Sequence, residues 1–273
     1  MGGNVPGLGV FYLCNKLIYM SLSDRFRQSS NPILSEERLA KAAQRPLDGG
    51  FITRTDNVMT VSGAVNKTFI LAALVLATSV YSFLFPSQLF LWGGAIGGLV
   101  LVFAMSFKPK LSGTLAPIYA LLEGLFVGSV TAFYVAGFGV AIAFNAIMIT
   151  IALLFAMLFA YKAGLIKVTE KFRTGVIMAT GGIALVYLLS IGLSFFGIQM
   201  PFLHEGGMIG IGISLFIIGI ATLNLLLDFD NIERGAAMQS PKYMEWFCAM
   251  GLIVTLVWLY IEVLRLLSVM NRD

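Results

Sequence analysis

Histidine, cysteine and charge are all scarce in this chain. Its 273 residues include one His and two Cys, and only 12% are Asp, Glu, Lys or Arg. Two cysteines, Cys14 and Cys248, cannot build a disulfide framework, and Cys248 lies where a helix is expected to enter a membrane, so it reads as a small buried hydrophobe. The lone His204 sits beside Glu205 in a short loop and is part of no His-Glu-x-x-His zinc motif. No nucleotide-binding P-loop or dinucleotide fingerprint occurs, and no Ser or Thr in an apolar stretch has a histidine nearby to activate it. An enzyme is therefore not expected, and neither is a resident cofactor. The formal charge of +4 comes from basic groups placed between apolar stretches rather than on a soluble domain, which argues against a nucleic-acid partner.

Apolar residues are abundant instead, at 58% of the chain with a mean hydropathy of +0.89, the composition of a polytopic membrane protein whose main partner is the lipid bilayer. The start, "GLGVFYLCNKLIYMSLSDRFRQSS", has an apolar patch too short to span and no small-residue cleavage pattern, and Met20 offers an alternative start. Residues 1–67 are read as a polar cytoplasmic tail with one weak surface helix at "LSEERLAKAAQR". Residues 68–268 form the membrane domain and residues 269–273 a short C-terminal tail.

Seven apolar stretches are each long enough, or nearly so, to cross about 30 Å of hydrocarbon. They run Thr68–Phe85, Leu89–Phe107, Leu115–Val135, Val140–Tyr161, Thr174–Phe196, Met208–Leu227 and Trp246–Leu267. The fold class is all-α, a seven-helix transmembrane bundle. Lys and Arg alternate between loops: the tail, "KPK", "YKAGLIKVTEKFR" and the Arg234–Lys242 loop are basic, whereas "PSQ", the loop near Gly137 and "MPFLHEGG" carry none. The positive-inside rule then puts the N-terminus in the cytoplasm and the C-terminus outside, with Arg265 and Arg272 opposing slightly. Small residues four apart, Gly93 with Gly97, Gly94 with Gly98 and Gly124 with Gly128, predict close helix contacts.

The ionisable residues within these stretches are the candidate sites. Glu123 lies near the middle of the third span, where a carboxylate must face protein or water, as a gating group or as a hydrogen-bonding link between helices. Asn145 and Asn224 read as such links. Glu262 and Arg265, three apart, share a helix face near the outer end and read as a structural pair. In "LNLLLDFDNIERG", Asp228 closes the apolar run and is the inward-facing candidate, while Asp230 and Glu233 read as a solvated acidic cap balanced by Arg234. Should Asp228 share a partly buried cleft with a neighbouring carboxylate, protonation would change helix packing. Oxygen ligands of this kind also suit calcium, here as a transported ion.

With "MTVSGAVNKT", "YALLEGLFVG", "LLLDFDNI" and "WLYIEVLRLL", the chain resembles the Bax-inhibitor, or transmembrane Bax inhibitor motif, family, in a divergent bacterial branch. The resemblance implies six helices around a central seventh, a bacterial plasma (inner) membrane location, and a pH-sensitive calcium leak. In typical members an Asp of the sixth helix, in a Tyr-Asp-Thr-Gln pattern, faces a second Asp of the seventh, in a Leu-Tyr-Leu-Asp pattern. The first falls on Asp228; aligning the Leu-Arg-Ile-Leu tail that follows the second on "LRLL" puts the second at Thr255, so the partner carboxylate is missing. A Thr hydroxyl cannot share a proton as a carboxylate does, and Asp230, Glu233 or Glu245 would have to substitute. The ordered candidates for an ion route or pH sensor are Asp228, Glu123 and Asp230. Some bacterial relatives resemble partners of membrane proteases, which offers a second reading as a non-transporting scaffold or modulator of membrane protein quality control. Labelling of cysteines placed at His204 and Lys167 is expected to occur from opposite sides of the membrane, and same-side labelling would overturn the topology.

Overall fold

The computed structural model describes residues 57–194 and 208–271. The surface helix expected within the tail and the His204 loop lie outside the described residues. Among the described residues seven helices are long and apolar enough to cross a membrane. They are α1 (Val61–Leu84), α2 (Gln88–Phe107), α3 (Ser112–Phe138), α4 (Val140–Lys162), α5 (Glu170–Ser194), α6 (Met208–Ala237) and α7 (Met244–Met270), with one 3-10 turn at Pro109–Leu111.

The helix ends follow local chemistry. Thr60 caps α1, its side chain accepting from the Gly63 N–H, and Ser87 caps α2 by accepting from Leu89 N–H. α3 and α4 are joined by Gly139 alone, at φ +83°, a conformation open to a residue without Cβ. Several helix ends fall beyond the predicted spans. α1 starts at Val61, seven residues before the expected span, so the tail ends near residue 60 rather than 67. α6 continues ten residues past Leu227, and α7 runs to Met270, two residues into the expected C-terminal tail. At 30 residues α6 is about 45 Å long, so its last turns extend beyond a hydrocarbon layer of about 30 Å. Asp228, Asp230 and Glu233 are therefore inside a helix rather than beyond its end, ahead of the last turn, where a helix dipole disfavours carboxylates.

The starts of α1, α3, α5 and α7 and the ends of α2, α4 and α6 lie together at one end of the bundle, with Lys108, Lys110, Lys162, Lys167, Arg234 and Lys242; we call this the basic end. The last helix is the central one: 78% of its apolar window is buried, against 17–44% for the other spans. α1, α3, α4 and α6 pack on α7, while α2 packs chiefly on α3 and α5 chiefly on α6. The enclosure by six helices is thus four helices in contact with the centre and two carried largely by their neighbours.

Lipid tails are as apolar as Leu, so helices associate through close packing and polar contacts rather than by expelling water. α3 uses Gly124 and Gly128 to approach α1. A Cβ at Gly124 would fall 1.9 Å from Thr78 Oγ1 and 2.4 Å from the Val75 carbonyl, and one at Gly128 would fall 2.1 Å from the Ser79 carbonyl. On α2, Gly94 and Gly98 abut α3, whereas Gly93 faces open space and Gly97 meets only the Leu122 side chain. Only one of the two glycine pairs expected on that helix is therefore wholly a contact. Gly128→Ala is expected to cost about 1–3 kcal/mol or more through overpacking against backbone, and Gly93→Ala close to nothing, measured by thermal unfolding of the detergent-solubilised protein.

Candidate functional site

The acidic stretch of α6 distributes its carboxylates by helical geometry. At about 100° per residue, Asp228 and Asp230 are separated by about 200° and leave the helix in nearly opposite directions. Asp228 points to the central helix: it is 1% exposed and accepts a 2.6 Å hydrogen bond from Thr255 Oγ1, whose hydroxyl also lies 3.3 Å from the Gly251 carbonyl one turn earlier. Cys248, buried on the same face of α7, lies within electrostatic reach of both Asp228 and Glu245.

Asp230 points to α5. Arg173 Nη2 donates to its Oδ2, Arg173 Nη1 donates to Asn231 Oδ1 at 2.7 Å, and Arg234 Nε lies 2.7 Å from the same Asp230 oxygen. Arg173 is fully buried and the Asp230 side chain is 13% exposed. Glu233 turns to α4, accepting a hydrogen bond from Tyr161, whose ring packs beside Phe229. Glu233 is exposed and Arg234 pairs with Asp230, as expected of an acidic cap, but Asp230 is also held by the buried Arg173 of α5 and Glu233 by a tyrosine of α4. Three acids on one helix bind three different helices, and they do not converge on a common cleft.

Glu245, a candidate substitute for the missing carboxylate, is fully buried in the first turn of α7, where the helix dipole favours an acid. It accepts from the Thr60 N–H at 3.0 Å and from Thr60 Oγ1 at 3.1 Å, and pairs with Lys67 of α1. Lys67 also lies 5.5 Å from the centre of the Trp246 ring, a cation–π distance. Gly63 makes room for this carboxylate, since a Cβ there would lie 2.2 Å from Oε1. A two-residue β-bridge reinforces the junction: Val58 lies opposite Pro241, with Met59 N donating to Ser240 O and Lys242 N donating to Asn57 O. Glu245 thus ties the start of α1 to the start of α7 instead of facing Asp228 as a second acid.

Glu123 lies at a different interface. It is half-buried on α3 and faces α2, where a Cβ on Gly98 would lie 2.7 Å from its Oε2. The Tyr119 ring, one turn earlier, borders the same Gly98 position, 3.6 Å from that Cβ. Toward the end of the bundle remote from the basic end, Glu262 is held by Arg265 Nε at 3.0 Å and by the Tyr187 hydroxyl of α5, with Arg265 stacked over the Tyr187 ring. Nearby, Thr131 of α3 and Tyr260 of α7 share a 2.9 Å hydrogen bond. Of the expected links, Asn224 donates to Thr180 of α5 at 2.7 Å, while Asn145 is exposed on α4.

A family model described as Bax inhibitor 1 like matches residues 28–272. The chain belongs to the Bax inhibitor 1 like family. No curated protein and no solved structure matches it. In this family member Asp228 of the sixth helix faces Thr255 of the central seventh, so the inter-helix contact at that position is a hydroxyl-to-carboxylate hydrogen bond. Reading the sequence alone missed Arg173, Tyr187, Thr60 and Lys67. Arg173 and Tyr187 carry a signal that was available, a seven-residue repeat with Thr180 along α5; Lys67 was hidden because it was counted as the last residue of the tail, whereas the helix begins at Val61.

Lys67→Met leaves the buried Glu245 carboxylate without its cation and is expected to cost about 3 kcal/mol. The Lys67→Met/Glu245→Gln double variant should recover part of that loss in the same unfolding measurement, and equal losses in the two would rule the ion pair out as the cause.

Proposed function

We propose that this Bax inhibitor 1 like membrane protein is a pH-modulated, channel-like cation leak, with calcium as the candidate ion and Asp228 as the proton-responsive group. The observation that supports this reading is the placement of Asp228, 1% exposed between α6 and the central helix and bonded to Thr255. An acid buried at the contact between a peripheral helix and the central one couples its protonation state to their packing. Thr255 keeps the contact but lowers the negative charge there by one relative to a pair of aspartates, which weakens a divalent site and leaves the titration to one carboxylate. Glu123, on the α2–α3 interface, is a separate polar point and not part of the switch.

A second reading, a non-transporting scaffold or modulator of membrane protein quality control working with a membrane protease or another membrane protein, draws support from the way Asp230, Glu233 and Glu245 hold helices together. Calcium and monovalent-cation flux in proteoliposomes across a pH series separates the two. Asp228→Asn, an amide that cannot titrate, is expected to flatten the pH response, and Glu123→Gln is expected to leave that response in place. Flux no greater than that of empty vesicles at every pH would sink the leak and leave the scaffold.

A further inference from the structure

α5 is attached to the bundle unlike its neighbours. Its inward residues Arg173, Val176, Thr180, Ile183 and Tyr187 follow alternating steps of three and four, the narrow seam of a heptad. The opposite side of the helix faces outward, with Met178, Leu185, Leu188 and Leu189 exposed. At every seventh residue of that seam stands a polar side chain joined to another helix. Arg173 reaches Asp230 and Asn231, Thr180 accepts from Asn224, and Tyr187 donates to Glu262. Arg234 adds a longer contact to Glu170, 3.4 Å, at the start of the helix. The apolar members of the seam, Val176 and Ile183, gain little from leaving lipid for protein, so the polar rungs carry a large share of the attachment. By contrast, α1 and α3 are interlocked backbone to backbone at Gly124 and Gly128, a contact that does not open stepwise.

The polar groups that α5 covers form a file across the bundle: Asp230 and Asn231 toward the basic end, Asn224 between, and Glu262 toward the other end. In the structure the guanidinium of Arg173 fills the acidic end of that file as a tethered cation. Asp230 and Glu262 keep Arg234 and Arg265 as partners on their own helices, so withdrawal of α5 frees coordination positions on them while each acid retains a cation.

We propose that α5 is the movable wall of this bundle, and that the route open to a cation is the seam that α5 closes, past Asp230, Asn224 and Glu262, rather than the interface that holds Glu123. The identity of what passes rests on the cation-leak reading; which helix moves does not. Substitution of Arg173 risks misfolding, so the test uses Thr180→Val and Tyr187→Phe, which each delete one rung at nearly constant volume. In the full chain with Cys14→Ser and Cys248→Ala, spin labels are placed at exposed Leu188 of α5 and Phe133 of α3, with a control pair at Leu84 of α1 and Phe133. In bilayers each rung deletion should raise the longer-distance α5 population about fivefold, leave the control pair unchanged, and raise cation flux in the same proteoliposomes. A parent that conducts while α5 distances stay fixed in both variants and the double variant would falsify the movable wall. Displacement of α5 with no flux from any vesicle, parent included, would keep α5 as the mobile helix and refute the leak.

Discussion

The hydrocarbon core of a bilayer contains no water to accept or donate a hydrogen bond, so each polar group carried into it needs a partner from the protein. That constraint organises this molecule. Five of its acids inside or near the spans are held by side chains of other helices: Asp228 by Thr255, Asp230 by Arg173, Glu233 by Tyr161, Glu245 by Lys67, and Glu262 by Tyr187. In a soluble bundle such groups would be surface decoration of small energetic value. Here they specify which helix sits beside which.

α6 is where this shows most clearly. Its 3.6-residue period turns a compact acidic run into three separate attachments, to α7, α5 and α4, and the helix is long enough for all three to sit on regular backbone. The central helix receives a different kind of support. At its start a buried Glu245 gathers the backbone and side chain of Thr60 and the ammonium of Lys67, while along its length small and apolar residues let four helices approach. The outcome is a bundle with a firmly interlocked half, α1 and α3 with the centre, and a half joined through polar rungs, α5 with α6 and α7.

Membership of the Bax inhibitor 1 like family and the seven-helix membrane fold were both legible in the residues, because apolar run length and loop charge are local properties that a bilayer reads directly. The glycine spacing of α3 was legible for the same reason: two residues four apart share a face whatever lies opposite. The candidate site was legible only in its membership. Asp228 and Thr255 could be set side by side by family resemblance, but the separation of Asp228 from Asp230 required the helix to continue to Ala237, and the apolar run ended ten residues earlier.

By itself, then, the sequence determined the number of spans, their rough limits, the placement of basic loops at one end, and the small set of ionisable residues that a membrane would force into partnership. Apart from Glu262 with Arg265, paired by their spacing, and Asp228 opposite Thr255, paired by family resemblance, the partner each would take was decided by tertiary structure. A hydrogen bond between helices depends on their rotation and axial offset, and those are set jointly by every contact in the bundle, from the glycine faces of α3 to the Glu245 junction. A rotation of about 100° on α6, one residue's worth, would carry Asp228 away from the central helix. No property of the residues near Asp228 encodes that angle; the packing of seven helices against one another does.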